Sequence, residues 1–157
     1  MRVLLSCIGI VSLAAVPASG DDFFFNVNLD GLQEVGGGDP DGSGLAGLHI
    51  NNDDPANPTI NWSIEALDID MPLIGAHIHQ ADAGVNGPVV VDFSSQLEGG
   101  GLVDLDLLSV IANPSGFYVN LHNQAFPGGA IRGQIPTPGG AAVLVAGSAI
   151  VLRRRRR

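Results

Sequence analysis

Between residues 21 and 135, apolar and polar side chains alternate one by one in short runs, and no stretch of useful length carries the repeat of an amphipathic helix. Phe23, Phe25, Val27 and Leu29 alternate with Phe24, Asn26 and Asn28. Ala46, Leu48 and Ile50 alternate with Gly47 and His49, and Ile60, Trp62, Ile64 and Ala66 with Asn61, Ser63 and Glu65. Similar alternation surrounds His77, covers 117–122 and covers 131–135, while 89–93 is a β-branched run. A period of two sends each apolar set to one face of an extended strand. Runs of Gly, Pro, Asn and Asp separate these segments, and 36–42, 51–58 and 98–101 read as loops. About seven short strands punctuated in this way predict an all-β fold, an antiparallel Greek-key-like β-sandwich or barrel. One short helix is expected near 104–112, with Leu105, Leu108 and Ile111 on one side and Pro114 closing it. Asp104 and Asp106 near its start suit the helix dipole better than an acid–base pair.

The polar members of three runs carry the chemistry. His77 and His79 flank Ile78, Asn120 and His122 flank Leu121, and Arg132 and Gln134 flank Gly133. Histidines at i and i+2 on a strand lie roughly 6.5–7 Å apart on one face, close enough for both imidazoles to reach one ion. If 73–80 and 116–122 are neighbouring strands, His122 completes a three-histidine set suited to zinc or copper. Asn120 or Glu34 would then orient an imidazole from behind. The competing reading is a hydrogen-bonded cluster of Glu34, His77, His79, Tyr118, Asn120, His122 and Arg132 that binds no metal, with Glu34 pairing to Arg132. Spacing alone leaves both open. His49 reads as exposed.

The two ends differ from the middle. Arg2, an apolar run over 3–16 and the small residues of 17–20 read as a secretory signal peptide over 1–20. Cys7, the single cysteine, lies within it, so the exported part has no disulfide or thiolate chemistry. At the other end, Pro136-Thr137-Pro138 precedes an uncharged run over 139–152 and five arginines over 153–157. That run reaches roughly 20 Å as a helix, short of the ~30 Å hydrocarbon core. The order resembles a PEP-CTERM sorting signal, with Thr137 standing where the commonest form has glutamate. The resemblance implies processing by an exosortase-type membrane enzyme, with transient membrane anchoring through 136–157.

Of 16 acidic and 7 basic residues, every acid but only Arg132 among the bases falls in 21–135, and the chain has no lysine. Such a domain repels nucleic-acid phosphates and anionic lipids. A nucleic-acid partner is therefore excluded.

Several segments together identify a family. They are Leu32-Gln33-Glu34-Val35, Ala76-His77-Ile78-His79, Gly84-Val85-Asn86-Gly87-Pro88-Val89-Val90, Phe117-Tyr118-Val119-Asn120-Leu121-His122 and Pro127-Gly128-Gly129-Ala130-Ile131-Arg132-Gly133-Gln134. In this order they resemble the CHRD (chordin-type) domain, over about 23–135. The resemblance implies an extracellular all-β module of bacterial exported proteins and animal chordin, with no assigned catalytic residues. Gly36 stands where the family usually has proline, and Ala130 where it often has glutamate.

No nucleophile-elbow context surrounds Ser94, Ser95, Ser109 or Ser115, so serine hydrolase chemistry is not expected. A His-x-His strand resembles copper–zinc superoxide dismutases, but those need more ligands and usually a disulfide. The chain therefore reads as an exported, non-enzymatic binding or structural module of the cell envelope or extracellular matrix, with no cofactor expected, meeting an extracellular ligand or matrix component. The alternative is a histidine-based metal-binding domain with redox or hydrolytic activity.

Overall fold

A computed structural model describes residues 21–137, and the signal-peptide and sorting-signal readings lie almost wholly outside them. Eight strands follow one another as β1 (Asp22–Asp30), β2 (Ser43–Asn51), β3 (Thr59–Leu67), β4 (Leu73–Gln80), β5 (Val89–Asp92), β6 (Glu98–Val103), β7 (Phe117–Asn123) and β8 (Ile131–Gln134). They form one sheet in the order β5-β4-β7-β8-β1-β2-β3-β6, and every pairing is antiparallel. The expected short helix is α1 (Leu107–Ala112), closed by Pro114. Leu107 and Val110 are its buried residues, and Leu105 is exposed, so the expected apolar side is rotated.

The alternation places the core as the runs require. Phe25, Val27 and Leu29 of β1 face Ala46, Leu48 and Ile50 of β2, Ile60 and Ile64 of β3, Ile78 of β4, and Phe117, Val119 and Leu121 of β7. Each large side chain removed from water there contributes about 1.5–3 kcal/mol. Trp62 stacks on Phe93 at 4.5 Å and donates through Nε1 to the Gln96 carbonyl at 3.0 Å, which ties the β5–β6 connection to β3.

Two features depart from expectation. Residues 98–101, expected as a loop, belong to β6, an exposed edge strand that pairs with β3 through a bulge. Its glycines suit that place: a Cβ on Gly99 would lie 2.4 Å from the Trp62 ring, so a side chain there would push the strand off β3. The outer face of β7 is also not half-exposed as alternation implies, because all seven of its residues are buried. Loops fold back over that face. Gly87 of the 81–88 segment donates to the Tyr118 hydroxyl and Pro127 of the 124–130 segment bonds His122, while Val85 and Asn86 take the neighbouring Arg132 of β8 and the Asp39 N–H bonds the Ala130 carbonyl.

Candidate metal centre beneath the loops

Adjacent antiparallel strands bring the three histidines together. His77 lies opposite Asn120, His79 opposite Tyr118, and His122 opposite Gly75. Since β4 and β7 are neighbours, the condition set by the sequence is met. The ring centroids form a nearly equilateral triangle of 5.5 Å (His77–His79), 5.1 Å (His77–His122) and 5.6 Å (His79–His122). One nitrogen from each ring lies within 4.8 Å of the other two. Gly75 makes room for this, because a Cβ there would lie 2.6 Å from the His77 ring and 3.2 Å from that of His122.

Two of the rings are hydrogen-bonded to backbone and the third faces a carboxylate. His79 Nδ1 lies 3.0 Å from the Gly87 carbonyl and His122 Nδ1 lies 3.1 Å from the Pro127 carbonyl. A carbonyl only accepts, so each Nδ1 carries the proton and each Nε2 keeps its lone pair. His77 Nε2 faces the Asp92 carboxylate at 3.6 Å, which favours its proton on that nitrogen and leaves the lone pair on Nδ1. These three remaining atoms, His77 Nδ1, His79 Nε2 and His122 Nε2, are buried and have no hydrogen-bond partner. Burial lowers the pKa of all three imidazoles and is the largest cause in each case. His122 is pushed down to about 4, with His77 adding to the effect, while the Asp92 carboxylate partly opposes the shift at His77. The set is therefore neutral near pH 7, the state a metal ligand requires.

The rest of the predicted cluster surrounds this triangle. The Tyr118 ring stacks on His79 at 4.9 Å and 8°, and the Arg132 guanidinium carbon sits 3.5 Å from the Tyr118 ring centre. Arg132 is 1% exposed and donates to the Val85 carbonyl and to Asn86 Oδ1, each at 3.2 Å. The expected Glu34–Arg132 ion pair does not form among the described residues. The neutral acceptors of the 81–88 loop take the guanidinium instead. Burial pushes the Glu34 carboxyl up, opposed by Arg132, and Glu34 Oε1 and Asn120 Oδ1 are also buried without partners. The nearby Gly36 and Gly37 have φ of +93° and +95°, a region closed to the proline expected of the family at position 36. Ala130, in place of the family's frequent glutamate, is fully buried. His49 is only partly exposed, because it stacks on Phe24 at 4.4 Å and bonds Asp22 Oδ1 at 2.8 Å.

Sequence reasoning missed the orienting groups. Asp92 lies two strands from β7, and the Gly87 and Pro127 carbonyls are backbone atoms that no side-chain pattern reports. The glycine at 87 was the available signal: a Cβ there would lie 1.9 Å from the Gln80 carbonyl oxygen, so only glycine lets that peptide close over His79.

An all-β module with a polar cluster enclosed by loops on one sheet face is the class these features define. The family model of the CHRD domain matches residues 25–135, and the chain belongs to that family. No curated protein and no solved structure matches the chain.

Proposed function

We propose that this CHRD module binds one transition-metal ion, zinc or copper, through His77, His79 and His122. The observation that carries the reading is three neighbouring imidazoles that each bring one nitrogen within 4.8 Å of the other two and each keep a buried, unpartnered nitrogen, two of the rings being held by backbone carbonyls. Without an ion, each buried unsatisfied acceptor costs about 1–3 kcal/mol. A purely structural hydrogen-bonded cluster would pair those nitrogens with one another or with neighbours. Three protein ligands leave a further coordination position for a small molecule or a partner's side chain.

In this reading the protein is exported by its 1–20 segment, sorted through 136–157 and serves at the envelope or in the extracellular matrix as a metal-loaded binding module rather than as an enzyme. Elemental analysis of the purified protein after dialysis tests the metal reading. One equivalent of zinc or copper is expected, and its loss in a His77→Ala/His79→Ala double variant with an unchanged circular dichroism spectrum supports the assignment. A metal-free wild type that takes up neither ion on titration overturns it.

A further inference from the structure

Resting on that metal reading, we infer that the centre selects a monovalent ion, copper(I), over zinc(II) and copper(II), and that Arg132 sets this preference through the Tyr118 ring. Four observations lead there. The ligand set carries no charge: the group that converges is three imidazoles, with no carboxylate or thiolate among them. Of the acids beside it, Asp92 stands 3.6 Å from His77 Nε2 with a side chain 64% exposed, so water screens much of its charge, and the carboxyl of the buried Glu34 is pushed up by burial. The centre is largely covered, His79 and His122 being 8% and 9% exposed and the His77 side chain 21%. A buried cation has been added behind it, since Arg132 lies on one face of Tyr118 and His79 on the other.

These facts act in the same direction. The solvation lost on burial rises with the square of the charge, so a divalent ion gives up about four times what a monovalent one does. Neutral ligands return nothing extra to the divalent ion by charge neutralisation. Arg132 forms no ion pair among the described residues, its donors go to a carbonyl and an amide oxygen, and the one acid that acts on it, Glu34, has its carboxyl pushed up by burial, so its positive charge, one aromatic ring away from His79, is only partly offset. Each further unit of charge on the bound ion meets that field once more. At an effective protein dielectric near 20, a second-neighbour unit charge changes the affinity of one further charge by about tenfold. Imidazole itself suits copper and zinc alike. Charge, rather than ligand softness, is then what discriminates. Binding of copper(I) here involves no electron transfer, the ion being taken up already reduced.

Competition titrations of the secreted protein test this. Copper(I) is presented anaerobically with ascorbate against a chromophoric copper(I) chelator, and zinc(II) and copper(II) are presented against their own chelators. Copper(I) is expected to bind one to one and at least about tenfold more tightly than zinc(II). Arg132→Gln is expected to narrow the copper(I)-to-zinc(II) ratio by about tenfold. Arg132→Lys, which keeps the charge, leaves the ratio close to wild type. Zinc(II) or copper(II) binding as tightly as copper(I), or a ratio that Arg132→Gln does not move, overturns the inference and leaves the metal centre standing. Uptake of none of the three ions overturns both. Should Arg132→Gln fail to fold, Tyr118→Phe and Tyr118→Leu carry the test: the ratio is expected to hold in the first, which keeps the ring between Arg132 and His79, and to shift in the second, and a ratio unmoved in both overturns the role of Arg132.

Discussion

His79 and Tyr118 are held by the two ends of one residue. The Gly87 carbonyl takes the His79 Nδ1 proton at 3.0 Å, and the Gly87 N–H donates to the Tyr118 hydroxyl at 3.2 Å, while the two rings stack at 4.9 Å. One loop residue thereby sets both the tautomer of a proposed ligand and the position of the aromatic ring behind it.

Gly87→Ala is accordingly expected to weaken metal binding without touching a ligand. Its Cβ would overlap the Gln80 carbonyl oxygen at 1.9 Å and displace the peptide that orients His79. Loss of such an orienting bond typically costs about 10–100-fold in metal affinity. Isothermal titration of variant and wild type with the same ion measures it. An unchanged affinity in a folded variant would show that the loop does not position His79.

The metal-free protein is expected to lose stability on acidification between about pH 6.5 and about pH 4. The imidazoles of His77, His79 and His122 have lower pKa values folded than the ordinary 6.5, that of His122 falling to about 4. Within that window the unfolded chain binds more protons than the folded one, so stability falls as pH falls, and below it the loss is complete. The His122 share is on the order of 2 kcal/mol once partial screening is allowed for. Urea denaturation at pH 7 and pH 4.5 measures the difference. His122→Leu should flatten the dependence, and an equally steep one in that variant would assign it to other groups.

Much of the fold was legible because one face of most strands is apolar. The runs of β1, β2, β3, β7 and β8 report their buried faces directly, and the histidine triplets report a shared face once β4 and β7 pair. β6 was not legible: a glycine run carries no alternation, and its strand geometry comes from pairing with β3 and from the Trp62 ring against Gly99. The burial of Tyr118, Asn120 and Arg132 was not legible either. It depends on loops returning over a face that local pattern marks as solvent-facing. For the same reason the pairing of Arg132 with Glu34 was the natural expectation from charge, and the Val85 carbonyl, a backbone group, was not.

Arg132→Leu is expected to destabilise the domain by about 3 kcal/mol and to free the 81–88 loop. The change removes the donors to the Val85 carbonyl and Asn86 Oδ1, leaving those acceptors unpaired, and takes away the cation over Tyr118. Hydrogen exchange should rise in 81–88 before it rises in the β1–β2 core. Uniform acceleration across the sheet would instead place Arg132 in the global fold.

Intact-mass analysis of the protein recovered outside the cell tests the export reading. The expected mass lacks 1–20 and the residues after the Pro136-Thr137-Pro138 segment, including the five terminal arginines. A species retaining those arginines would contradict sorting by an exosortase-type enzyme.

Metal stoichiometry decides whether the three histidines of this sheet face hold an ion. The wild-type domain, dialysed and then offered zinc and copper in separate titrations, should retain one equivalent of one of them, and the His77→Ala/His79→Ala variant should retain none while keeping its β-sheet spectrum. Equal retention by both proteins, or none by the wild type, would contradict the account.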